Sequence, residues 1–283
     1  MTSSPEVNPL AFFRATETGF EPEDLARSLW SHDQMHGVAA SGLIARTMER
    51  EIDSLGRSEL VPSRYHVDLF RPPKMVETYA RATVVRNGPR IVLIDVDMVQ
   101  GETVVARASG TYLQPSANPT GKTWSPSERP TPPPLEIAPV TGDVRLPLFA
   151  SEAPWSTDFA DHQNAGRHQS WQVAVPTVVG EPMTTFQAVA SMADSTSMIT
   201  NWSDHGIEWI NTDISLALTR RPVSLEVGLS TVDHVEHEGV AVGTAEVFDR
   251  AGTLGTANVT AIANTRRTVD LSANPEHTAA VNV

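Results

Sequence analysis

Among the residues that could do chemistry, Asp194 stands out first. It falls in the stretch Thr184–Trp202, where Phe186, Val189, Ala190, Ala193 and Ser197 make one helical stripe, and its near neighbours are Met192, Ala193 and Met198. A carboxylate in such company must be paired or hydrogen-bonded, so a reactive site or a local polar network is expected there. A second constellation, Asp33, His36 and Gly37, opens another helical stretch and sets an acid beside a base. Arg71, Lys74, Arg86, Arg90, Arg220 and Arg221 fall near strand ends and turns. Arginine presents paired donors to phosphate, and Arg86 and Arg90, flanking one turn, are the best placed. The other histidines, among them His162, His168, His205, His234 and His237, have no zinc-ligand spacing, and no metal site is expected. The chain has no cysteine, which excludes disulfides, thiolate nucleophiles and Cys-ligated zinc. It also lacks a Gly-rich phosphate loop before a helix and a Gly-x-Ser-x-Gly elbow.

The elements that must position these groups follow from periodicity. Between His36 and Leu55, the residues Ala40, Ile44, Met48 and Ile52 fall four apart, one continuous stripe on a helix. Strand patterns follow at Tyr65–Phe70, Val76–Val85, Arg90–Gln100 and Thr103–Leu113, with turns at Asn87-Gly88 and Gly101. The second half repeats the order: a leading strand at Ser170–Val179, the helix Thr184–Trp202, then strands at Ile210–Leu218, Ser224–Val235, Val240–Asp249 and Thr253–Asn264. Pro72 and Pro222 lie 150 residues apart, and Gly101 and Gly252 lie 151 apart. A repeat at near-constant offset implies two copies of one α+β unit, each a helix against an antiparallel sheet.

Between the copies, Pro115, Pro119, Pro126, Pro130, Pro132, Pro133, Pro134 and Pro139 mark a linker that must run extended, because proline has no amide donor and a fixed φ. The expected organisation is one unit over 10–114, the linker over 115–140, a second unit over 141–266 and a disordered tail over 267–283. At 283 residues and 40% hydrophobic, the chain can bury a real core. Its net charge of −13 disfavours nucleic acid as a partner. No apolar run reaches membrane-spanning length and the N-terminus reads as no secretory signal, which fits a cytoplasmic protein. Exposed sheet edges make a homo-oligomer an expectation.

One helix wrapped by a curved antiparallel sheet is the hotdog arrangement, and the expected fold is a double hotdog. The resemblance extends to motifs. His36-Gly37, Val67-Asp68-Leu69-Phe70-Arg71-Pro72, Arg86-Asn87-Gly88-Pro89-Arg90 and Gln100-Gly101-Glu102 resemble the first half of the acyl-CoA thioesterase II family. Ala193-Asp194-Ser195, Asn211-Thr212-Asp213, Arg221-Pro222 and Phe248-Asp249 resemble its second half.

That resemblance implies hydrolysis of an acyl-CoA thioester without metal or other cofactor, coenzyme A entering as part of the substrate. In the family, an Asp, a Ser or Thr hydroxyl and a Gln hold the attacking water. The resemblance places Asp194 as the acid and Thr212 as the hydroxyl, and puts Thr260 where the glutamine is expected. Asn258 shares the strand face of Thr260. His36, Gly37, Arg86, Arg90 and Asn258 are the implied substrate-binding residues. The Thr260 departure keeps a second reading open, a non-catalytic acyl-CoA or lipid-binding double hotdog. Asp33 and His36 resemble, at a closer spacing, the acid and base of MaoC-type enoyl-CoA hydratases, a third reading.

Overall fold

The computed structural model describes residues 10–272. Along the chain come β1 (Phe13–Ala15), β2 (Phe20–Pro22), α1 (Gly37–Ser54), β3 (Val61–Asp68), β4 (Tyr79–Asn87), β5 (Ile91–Gln100), β6 (Thr103–Leu113), β7 (Leu148–Ala150) and β8 (Gln169–Val173). Then follow α2 (Thr185–Met192), α3 (Ser195–Asn201), β9 (Trp202–Ser203), β10 (Gly206–Ile207), β11 (Trp209–Asn211), β12 (Asp213–Leu218), β13 (Glu226–His237), β14 (Val240–Asp249) and β15 (Gly252–Ala263). No helix among the described residues is long and apolar enough to cross a membrane.

One large sheet runs β4-β5-β6-β3-β12-β15-β14-β13-β8-β7, with β11 also paired to β15. About the β3–β12 seam the order β3-β6-β5-β4 is repeated as β12-β15-β14-β13, which β8 and β7 extend. At the seam Val67 faces Ile214 and Tyr65 faces Leu216, all four side chains buried. The double hotdog is thus one continuous curved sheet wrapped around a helical layer from both halves. On α1 the stripe Ala40, Ile44, Met48 and Ile52 is fully buried, each of its larger side chains contributing about 2 kcal/mol by leaving water. The helix stops at Gly56, whose φ of 67° only glycine adopts freely. There the Gly56 N–H bonds the Asp53 carbonyl and the Arg57 N–H bonds the Ile52 carbonyl.

Across the pseudo-twofold axis, α1 and α2 touch through small residues. Ser41 Oγ donates to the Ala190 carbonyl at 2.7 Å, and Ser191 Oγ donates to the Val38 carbonyl at 2.9 Å. These reciprocal bonds seat the start of α1 beside the end of α2, which is where the site forms. Glu49 of α1 accepts from Gln187 at 3.1 Å and from Arg221 at 2.6 Å, and it also bonds Thr184, tying the two halves again.

Three expectations are corrected. The helix expected over Thr184–Trp202 is two helices, because hydrogen bonds from Thr196 N to Ala193 O and from Ser197 N to Asp194 O tighten the turn at Ala193-Asp194. The strand expected over Ile210–Leu218 is broken at Thr212. The tail is placed as far as Ser272, with Val269 and Leu271 buried; the remainder of the expected disordered tail lies outside the described residues. The proline-rich segment carries no strand or helix between Leu113 and Leu148. It is fastened to the second half by Arg129–Glu246 at 2.8 Å and by Arg250 donating to the Ala138 carbonyl at 2.6 Å.

Candidate active site

A cavity of about 330 Å³ opens between the first turn of α1 and the α2–α3 joint. Its wall is mostly apolar, with Trp30, Met192, Met198 and Val269 among the lining residues, and its polar residues include His36, Gln172, Asp194 and Asn211. Trp202, which the sequence places near Met198, packs away from this wall against Phe149 and His168.

Asp194 is half-buried at the joint between α2 and α3. Its carboxylate accepts from Asn211 Nδ2 at 2.9 Å and from the backbone N–H of Val38. Val38 lies in the first turn of α1, so the carboxylate of the second half sits on the positive end of the helix of the first. Gly37 permits this approach, since a Cβ there would overlap both carboxylate oxygens. Burial pushes the Asp194 carboxyl up to about 6, and the bonds from Asn211 and Val38 limit the rise. At neutral pH such a group is mostly ionised yet basic enough to take a proton from water.

His36 is the N-cap of α1. Its Nδ1 accepts from the Ala39 N–H at 3.1 Å, which leaves the proton on Nε2 to donate to the Leu25 carbonyl at 2.8 Å. Burial holds its pKa below the usual histidine value. Both ring nitrogens are engaged in shaping the helix start, and neither is free to act as a base. Asp33 faces Lys74 at 2.6 Å and Ser31, not His36. The acid and base that the hydratase reading needs are therefore not brought together.

Thr212, Thr260 and Asn258 gather on the opposite face of the sheet. Along β15, Ala257, Val259 and Ala261 are buried toward the helices, while Thr260 is exposed. Thr212 Oγ1 meets Thr260 Oγ1 at 2.8 Å, Thr260 also bonds Asp213, and Asn258 donates to Thr244 Oγ1 at 2.7 Å. None of the three lines the cavity.

The cause is a β-bulge. Asn211 pairs with Ala261 and Ser215 with Asn258, so the first strand spends one residue more than its partner over the same span. The extra residue, Thr212, resets the alternation and turns Asn211 inward to Asp194. Asn211 is the cavity residue beside Asp194 that sequence reasoning missed; its only signal was a place beside Thr212 in the Asn-Thr-Asp triplet. Beside it on β15 the inward position is Ala261, which offers no polar group. Gln172, on β8, does line the cavity and accepts from Ser195 Oγ at 3.4 Å.

Arg86 and Arg90 are exposed at the β4–β5 turn and do not line the cavity. The arginines that do are Arg27, paired with Asp24, and Arg145, paired with Glu226. Arg220 is held by two bonds to the buried Asp249, each 2.7 Å, and Arg221 by Glu49, so both serve the fold.

Comparison with known proteins agrees with this architecture. Residues 26–113 match the acyl-CoA thioesterase N-terminal domain family, and residues 119–262 match the acyl-CoA thioesterase C-terminal domain family. No curated protein matches the chain by sequence. Among solved structures, a thioesterase II from Thermobifida fusca is 12% identical, with a TM-score of 0.64 over 90% of this chain and 96% of that one. A tesB protein from Mycobacterium avium subs paratuberculosis is 14% identical, with a TM-score of 0.62 over 89% and 95%. An acyl-CoA thioesterase II from Mycobacterium marinum is 14% identical, with a TM-score of 0.56 over 82% and 90%. At such identities the likeness is one of fold.

Proposed function

This chain belongs to the acyl-CoA thioesterase family, and from that premise we propose that it hydrolyses an acyl-CoA thioester to a free acid and coenzyme A, with Asp194 activating the water. The observation that carries this reading is the Asp194 carboxylate, held by Val38 and Asn211 in the wall of an apolar cavity. The acyl chain occupies the cavity, and the thioester carbonyl lies at the first turn of α1. Asp194 takes a proton from water as the water oxygen bonds to the carbonyl carbon. The positive end of α1 favours the oxyanion that forms. When the C–S bond breaks, the leaving thiolate receives the proton from Asp194. Asn211 fixes the carboxylate through Nδ2, and its Oδ1 can accept from the same water. Arg27 and Arg145 line the cavity, each beside a carboxylate partner, and are the cations we assign to the coenzyme A phosphates.

Ala261, inward-facing beside Asn211, favours the second reading, a protein that binds acyl-CoA without hydrolysing it. Release of free thiol from a panel of acyl-CoA esters, wild type beside Asp194→Asn, separates the two. Release that is lost in the variant supports the thioesterase. Stoichiometric binding with no release from any ester supports the binding protein.

A further inference from the structure

Residues 267–272 lie against the cavity that Asp194 opens into, and the chemistry above makes no use of them. Their path is fixed at three points. Val269 and Ile207 exchange two backbone hydrogen bonds of 2.9 Å each. Arg267 reaches to the backbone carbonyls of Trp30 and Leu29, the latter at 3.3 Å. Gln163 Oε1 accepts from the N–H groups of Leu271 at 3.1 Å and Ser272 at 3.2 Å. A Cβ on Gly206 would strike the Val269 carbonyl, so glycine at that turn is a condition of the path. Val269 and Leu271, two residues apart, both turn inward, are buried, and line the cavity with Leu29, Trp30 and Ile207.

We propose that residues 267–272 form a specificity strap, in which Val269 and Leu271 limit the bound acyl group to a medium-length chain. The proposal rests on the cavity being the acyl site of the thioesterase reading. With about 30 Å³ for each group the size of a water molecule or a methylene, a cavity of about 330 Å³ takes roughly ten such groups. That corresponds to a chain of about eight to twelve carbons. A palmitoyl or stearoyl chain would have to displace the strap and break the Arg267 and Gln163 contacts.

The test uses the full chain and two readouts. One is hydrolysis of saturated acyl-CoA esters from butyryl to stearoyl. The other is displacement of a bound fluorescent fatty acid by free fatty acids of the same lengths. Wild type should favour octanoyl to lauroyl groups in both. The double variant Val269→Ala with Leu271→Ala should raise the palmitoyl-to-octanoyl preference about tenfold, and Leu271→Phe should move the optimum to shorter chains. If wild type hydrolyses no ester, the thioesterase reading fails, and the displacement profile still tests the strap. A length profile that stays unchanged in both variants, or a wild type that takes stearoyl groups as well as octanoyl, overturns the strap.

Discussion

Asn211 donates its side-chain amide to Asp194 at 2.9 Å, and it faces that way because Thr212 is an extra residue in the strand. The bulge therefore turns Asn211 toward the carboxylate and leaves Thr212 against Thr260. Asn211→Ala should lower kcat/KM about a hundredfold, the size of effect seen when one fixed donor is removed from a hydrolytic site. Thr212→Ala and Thr260→Ala, on the far face, should each change it by no more than about twofold. Steady-state kinetics on the three variants checks this, and a large loss in either threonine variant would sink the assignment.

The raised carboxyl gives a pH signature. With Asp194 near 6 in the folded protein, kcat/KM should climb through about pH 6 and level off above pH 7. Removing Asn211 removes a bond that holds this value down, so the Asn211→Ala midpoint should lie higher. Stability carries the same group with its own sign. The folded value exceeds the unfolded one, so the folded state binds the extra proton, and stability falls as pH rises from about 4 through 6. Asp194→Asn cannot ionise. It should be more stable than wild type at pH 8, by on the order of 1–2 kcal/mol, and the gap should close by pH 4. Urea melts at the two pH values measure it.

The parts of the fold that could be read from sequence are those fixed by local pattern. The α1 stripe and the strand Val240–Asp249 carry their period in consecutive residues, and Gly101 and Gly252 mark turns that only a positive φ closes. What escaped depends on long-range pairing. The bulge at Thr212 exists only relative to β15, more than forty residues on. The duty of Arg220 is set by Asp249, buried beneath it. The segment after Arg266 is polar apart from Val269 and Leu271 over the placed residues, too short a pattern to reveal a strap. Asp194 was legible because a carboxylate among methionines is costly unless something holds it, whereas Asn211 beside a β-favouring threonine carried no such warning.

Glu49 tests the joint between the halves. It is buried on α1 and accepts from Gln187 and Arg221 as well as Thr184. Glu49→Ala leaves the Arg221 cation and two polar groups without their partner, and should cost about 3 kcal/mol. Glu49 does not line the cavity. Activity per folded molecule should therefore stay near wild type while the denaturation midpoint drops. A loss of activity without a loss of stability would count against a purely structural role.

Two glycines with opposite consequences separate stability from function. Gly56 adopts a φ of 67° with open space around it, so Gly56→Ala strains the backbone and meets no neighbour. It should cost about 1 kcal/mol and leave activity unchanged. Gly37 is the reverse case. It opens α1 with ordinary helical geometry, where alanine is the better helix former by up to about 1 kcal/mol. Its added Cβ, however, would fall on the Asp194 carboxylate and drive it off Val38 and Asn211. Gly37→Ala should thus keep its melting temperature within a few degrees and lose about a hundredfold in kcat/KM. If instead it kept full activity, the base would not need to sit at the start of α1, and the geometry proposed for the attacking water would be wrong.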